Sequence, residues 1–192
     1  MIVLVFGLLI FLGVHSIRIF ADGWRSKQIS RLGAGTWKAT YSVISLLGFG
    51  LIIWGFGMAR ADTMILWSPP IWAKHAAALL MLLAFILLVA AYIPGNHIKS
   101  KIGHPMLAGT KTWAFAHLLA NGSLADVVLF GSFIIWSMMA FATLRRRDRA
   151  AGVSYPVLGI GRSVLTVFVG VVAWALFGRY LHVWLIGVNP LT

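Results

Sequence analysis

The chain has 192 residues, 60% of them hydrophobic and 10% charged; 16 Lys and Arg against 4 Asp give a net charge of +12, with no Glu and no Cys. A soluble domain of this length needs more charge to cover its surface, and the missing cysteines exclude disulfides, thiolate catalysis and Cys-ligated zinc or iron–sulfur centres. The scattered acids, Asp22, Asp62, Asp126 and Asp148, leave no basis for two-carboxylate chemistry or a carboxylate-rich metal cage, and the basic excess sits in short loops beside apolar runs, where it orients membrane segments rather than binding nucleic acid.

Runs of about 20 apolar residues are long enough to cross the roughly 30 Å hydrocarbon core as helices. The first run, Ile2–Phe20, has neither a basic leader nor a small-residue cleavage site after it and reads as a retained helix. Arg25, Lys27, Arg31 and Lys38 follow, which places that loop in the cytoplasm and the N-terminus outside. The second run is Ala39–Met58; its Gly48, Gly50, Gly55 and Gly57 indicate close helix contact. A nearly neutral loop with Pro69-Pro70 leads to the third run, Ile71–Ile93, which the breaker Pro94-Gly95-Asn96 ends.

Lys99, Lys101 and Lys111 then read as an inside loop, and so does Arg145-Arg146-Arg147-Asp148-Arg149 after the run Ser123–Leu144. Two inside loops flanking one span require a further crossing. Lys111–Ala120 is the one segment available for it, and about 10 residues make roughly 15 Å of helix, half a bilayer. Asn121-Gly122 turns the chain, and Ser123 with Asp126 has the spacing of a capping box. The last run is Arg162–Gly187. The expected architecture is an all-α polytopic transmembrane bundle, one domain over residues 1–192, with five full spans plus a short half-helix; six spans is the competing count. Both termini fall outside.

Six histidines are present: His15, His75, His97, His104, His117 and His182. Neutral imidazole is a good metal ligand. On this orientation His15 and the half-helix residue His117 share an inner level, and His75 and His182 an outer one. Two imidazoles on different helices at one depth are the arrangement that holds a membrane b-type haem. A histidine near an interface by default bonds a headgroup, a water or a carbonyl. Trp113, four residues before His117, shares its face and can pack on a ring or on the core. Arg18, three after His15, can meet a propionate or phosphate, or snorkel to headgroups.

Gly13-Val-His15-Ser16, Trp72-Ala-Lys-His75, His104-Pro-Met-Leu-Ala-Gly109, Trp113-Ala-Phe-Ala-His117-Leu-Leu-Ala-Asn121-Gly122 and Gly187-Val-Asn-Pro190 together resemble the NnrU family across essentially the whole chain. The resemblance implies a bacterial inner-membrane protein linked to nitrite and nitric oxide reduction. It also extends to zeta-carotene isomerase, a haem b enzyme acting on a cis double bond. The haem ligands of that enzyme match His15 and His117, and His75 matches an auxiliary histidine. Trp113 and Arg18 are then pocket residues. A more distant likeness to isoprenylcysteine and phospholipid methyltransferases lacks their Arg before His-Pro, since Gly103 stands there, and lacks their late acidic pair.

Three function classes follow. The first is a haem b protein that moves electrons, senses nitric oxide or isomerises an apolar isoprenoid. The second is a non-catalytic accessory factor for respiratory nitrite or nitric oxide reductase components. The third is a lipid-modifying enzyme. The absence of repeat halves argues against a transporter.

Overall fold

The computed structural model describes residues 1–190 as an all-helical bundle. Eight helices follow in order: α1 Ile2–Phe20, α2 Asp22–Leu32, α3 Ala34–Ala61, α4 Ile71–Tyr92, α5 His97–Ile102, α6 Pro105–Ala120, α7 Leu124–Ala150 and α8 Ile160–Ile186. Helices α1, α3, α4, α7 and α8 are long and apolar enough to cross a membrane, so the chain is a multi-pass membrane protein with the five spans expected. Helix α8 carries a π-helical turn at Phe177–Leu181.

Side by side, the long helices run α3, α1, α7, α6, α4, α8. The α1–α3 pair is closed by glycine. A Cβ on Gly48 would lie 2.8 Å from the backbone nitrogen of Phe11, one on Gly7 would lie 2.7 Å from that of Ile52, and one on Gly55 would fall on the backbone of Leu4. The core that α1, α3, α6 and α7 share holds Leu4, Leu8, Ile52, Ala114, Leu129 and Phe130.

Three boundaries differ from the sequence reading. The basic stretch after α1 is not a loop: α2 runs through it, with Asp22 in its first turn and Arg31 in its last, the charge order a helix dipole favours. Helix α7 continues past Leu144 through the arginine run to Ala150. The half-helix is longer than Lys111–Ala120. It begins at Pro105 and has 16 residues, roughly 24 Å at about 1.5 Å per residue. Gly103 at φ +77 turns the chain out of α5, and Pro105 at the first helical position starts α6. Lys111, read as a loop charge, sits on α6 with its ammonium 5.8 Å from the Phe141 ring centre.

The Asn121–Gly122 turn and the capping box form as expected: Ser123 Oγ accepts from the Asp126 amide, and Asp126 Oδ2 accepts from the Ser123 amide at 3.0 Å. The turn pairs with the loop before α4, where the Leu66 amide donates to the Gly122 carbonyl at 2.8 Å and the Leu124 amide to that of Met64 at 2.9 Å. Of the 16 basic residues, Arg60, Lys74 and Arg179 lie at this turn end, and Lys111 lies midway along α6. The other twelve gather at the opposite, arginine-rich end.

Candidate functional site

A cleft of about 870 Å³ opens at the arginine-rich end. One wall comes from the last turns of α1 and the start of α3, the other from the start of α6 and the end of α7. Its chemistry-bearing residues are His15, Arg18 and Lys38 on the first wall and His104, Asp148 and Tyr155 on the second. Val14, Ile17, Met106, Leu107, Trp136 and Ala140 give it an apolar lining.

His15 is held as a ligand histidine would be. Its Nδ1 lies 2.7 Å from the carbonyl oxygen of Phe11, one turn back. A carbonyl only accepts, so Nδ1 carries the proton and Nε2 keeps its lone pair. The ring packs against Phe11 at 4.2 Å and Tyr41 at 5.2 Å, and stands edge-on to Trp136 at 6.0 Å. Trp136 Nε1 is a buried donor with no acceptor among the described residues. A buried donor left in that state costs about 1–3 kcal/mol, and an acceptor oxygen on a bound molecule would relieve it. Arg18 and Lys38 have no ion pair or hydrogen bond among the described residues.

His117 has the same local device, with Nδ1 2.9 Å from the Trp113 carbonyl, but it occupies a different place. It stacks on Phe130 at 4.9 Å, whereas His15 meets Trp136. Those partners are six residues apart on α7, roughly 9 Å along its axis at about 1.5 Å per residue. Because α6 begins at Pro105, His117 is six residues further from the inner end than expected, roughly 9 Å at about 1.5 Å per residue; it lies in the last turn, at the level of Asp126 and His182, both within electrostatic reach. The shared inner depth expected for His15 and His117 is therefore corrected. Their ring neighbours Phe11, Phe133, Trp113 and Phe130 form a contact chain with centroids 5.3–5.9 Å apart. Trp113 belongs to that packed cluster. His75 is exposed at the start of the second turn of α4, at the opposite end of the bundle from the cleft. Among the described residues no group of three or more His, Cys, Asp or Glu could hold a metal ion.

Sequence reasoning passed over one cluster. His104 Nε2 sits 2.9 Å from Asp148 Oδ2 without the in-line geometry of a hydrogen bond, and the Tyr155 hydroxyl donates to the same oxygen at 2.7 Å. The flanking turn is braced by Arg145, which donates to the Ile102 carbonyl at 3.0 Å. Burial pushes the Tyr155 hydroxyl above its ordinary range, and the hydrogen bond and charge of Asp148 add to the rise. Asp148 stands among arginines, in a run that was read only as an inside loop. The available signal was His-Pro: Pro105 fixes the start of α6 and with it the position of the preceding imidazole.

A family model described as NnrU protein matches residues 3–190, nearly the whole chain. Comparison with curated proteins and with solved structures gave no match.

Proposed function

The chain belongs to the NnrU family, and on that premise we propose that it is a bacterial inner-membrane haem b protein whose haem is held by His15 in the arginine-rich cleft. The observation that carries this reading is His15 itself: an imidazole with Nδ1–H fixed on the Phe11 carbonyl and Nε2 open, on the wall of a cleft of about 870 Å³. The residues fit the group. Trp136, Tyr41 and Val14 supply ring contact, the unsatisfied Trp136 Nε1 supplies a donor, and Arg18 and Lys38 supply charge for propionates. The concentration of basic residues at this end supports a cytoplasmic face here and periplasmic termini.

Bound here, a haem would supply a one-electron centre or a Lewis acid. The chain supplies the rest. His15 sets the proximal side and its own tautomer, the apolar walls exclude water, and His104, positioned by Asp148, holds or accepts a proton at the cleft surface. With His117 set apart, His15 is the residue that would hold the haem, and the chemistry supplied would suit nitric oxide or a polyene double bond, in keeping with the family link to nitrite and nitric oxide reduction and with cis–trans isomerisation of an isoprenoid. The test is an absorption spectrum of the protein purified with ample haem supply, oxidised and reduced, beside His15→Ala. A Soret band lost in the variant supports the reading; a colourless wild type, or a band indifferent to His15, refutes it.

A further inference from the structure

The basic residues of the cleft are not all accounted for by membrane orientation. That rule explains Lys27, Arg31, Lys101 and Arg146, which need only face the cytoplasmic water. It covers Lys38 as well, but it does not require that Arg18 and Lys38, both exposed, should stand on the wall of one concavity. Arg18 lies in the last turn of a membrane-spanning helix, and Lys38 in the second turn of α3. Neither has a counter-ion or hydrogen-bond partner among the described residues. Arg25 shares the cleft with its partner Asp22 at 3.6 Å, and Lys99 donates to the Ala91 carbonyl at 2.9 Å. Asp148 is the one carboxylate on the lining, and it is engaged by His104 and Tyr155 rather than by any of these cations. Arg18 lies within electrostatic reach of Tyr155 on the facing wall. Beneath the charges the lining is apolar, with the unsatisfied Trp136 Nε1 among it.

Like charges gathered around a low-dielectric concavity repel one another and raise the local concentration of anions. An apolar floor under them recognises a hydrocarbon or ring body. We propose that this cleft binds an anionic amphiphile: Arg18 and Lys38 hold its charged head, Trp136 donates to an oxygen of it, and the apolar floor takes its body. The proposal rests on the cleft being the ligand site, as in the haem reading, and names the chemistry that selects the ligand. Haem b with free propionates has that chemistry, and so does an inner-leaflet phospholipid with a phosphate head.

The test uses the full chain purified in detergent. In one arm, retention of haem b is compared with that of its dimethyl ester, which lacks the anionic head. In the other, native mass spectrometry compares retention of phosphatidylglycerol with that of phosphatidylcholine. Both arms are repeated with Arg18→Gln/Lys38→Gln. The expected result is preference for the anionic member, reduced roughly ten- to a hundredfold in the double variant, the loss that goes with removing charge-assisted hydrogen bonds. Preference for phosphatidylglycerol in a protein that retains no haem supports the proposal and removes the haem reading. Equal retention of ester and free haem, with no lipid preference, overturns the proposal and leaves a His15-dependent Soret band standing. The wild-type comparisons need no variant, so a misfolded double variant does not blunt the test.

Discussion

The α1–α3 contact positions His15 and Arg18, and it can be perturbed by a single methyl group. At Gly48 a Cβ would meet the Phe11 backbone nitrogen at 2.8 Å and Phe11 Cα at 3.0 Å; at Gly55 it would overlap the backbone of Leu4, with Val3 carbonyl carbon at 2.7 Å. These atoms are helix backbone, which cannot rotate away, so the two axes must separate. Overpacking of this kind typically costs about 1–3 kcal/mol. Against it stands the gain of up to about 1 kcal/mol that alanine brings over glycine in a helix. Gly50→Ala and Gly57→Ala isolate that gain, because nothing lies within 4 Å of a Cβ at either position. The expected order in an SDS-titration unfolding assay is Gly48→Ala and Gly55→Ala less stable than wild type by about 1–2 kcal/mol, roughly five- to thirtyfold in the equilibrium constant, with Gly50→Ala and Gly57→Ala neutral or slightly stabilised. If all four variants unfold alike, the close-contact reasoning fails.

Ser123→Ala removes the cap of α7 and one half of a reciprocal pair, and is expected to lower stability by about 1 kcal/mol in the same assay; an unchanged midpoint would show that the turn is held by its pairing with Met64 and Leu66 alone. The chain has no cysteine, so single cysteines report topology directly: Asp62→Cys should react with an impermeant maleimide from the periplasm and Ala151→Cys only after the membrane is opened. Tyr155, its hydroxyl pushed up by burial and by Asp148, binds its proton more tightly folded than unfolded. The stability from this difference is fully present below the ordinary tyrosine value near about 10 and is lost as pH rises through the higher folded value. Tyr155→Phe should therefore lack that alkaline loss, as read by unfolding midpoints against pH.

The spans were legible because hydrocarbon thickness makes length and composition sufficient, and the cap was legible because Ser123 and Asp126 stand three apart before an apolar run. Helix α2 was not, since a polar surface helix carries no apolar run to mark it. The start of α6 was misplaced because Lys111 looked like a loop charge; a lysine whose ammonium rests over Phe141 is a packing contact that sequence spacing does not reveal. That shift of six residues moved His117 away from the level of His15. The His104–Asp148–Tyr155 cluster needs three elements to meet, and His104 is too far from the other two in the chain for local pattern to join them. His15 was singled out by its depth and by the family resemblance; its bond to the Phe11 carbonyl came only with the structure.

The coordination of the haem iron tests the central claim most directly. Reduced wild type and His117→Ala should give the same high-spin spectrum and bind carbon monoxide without first displacing a protein ligand, while His15→Ala should lose the Soret band. A low-spin six-coordinate spectrum that turns high-spin in His117→Ala would contradict the account and would mean that His15 and His117 clamp the haem together.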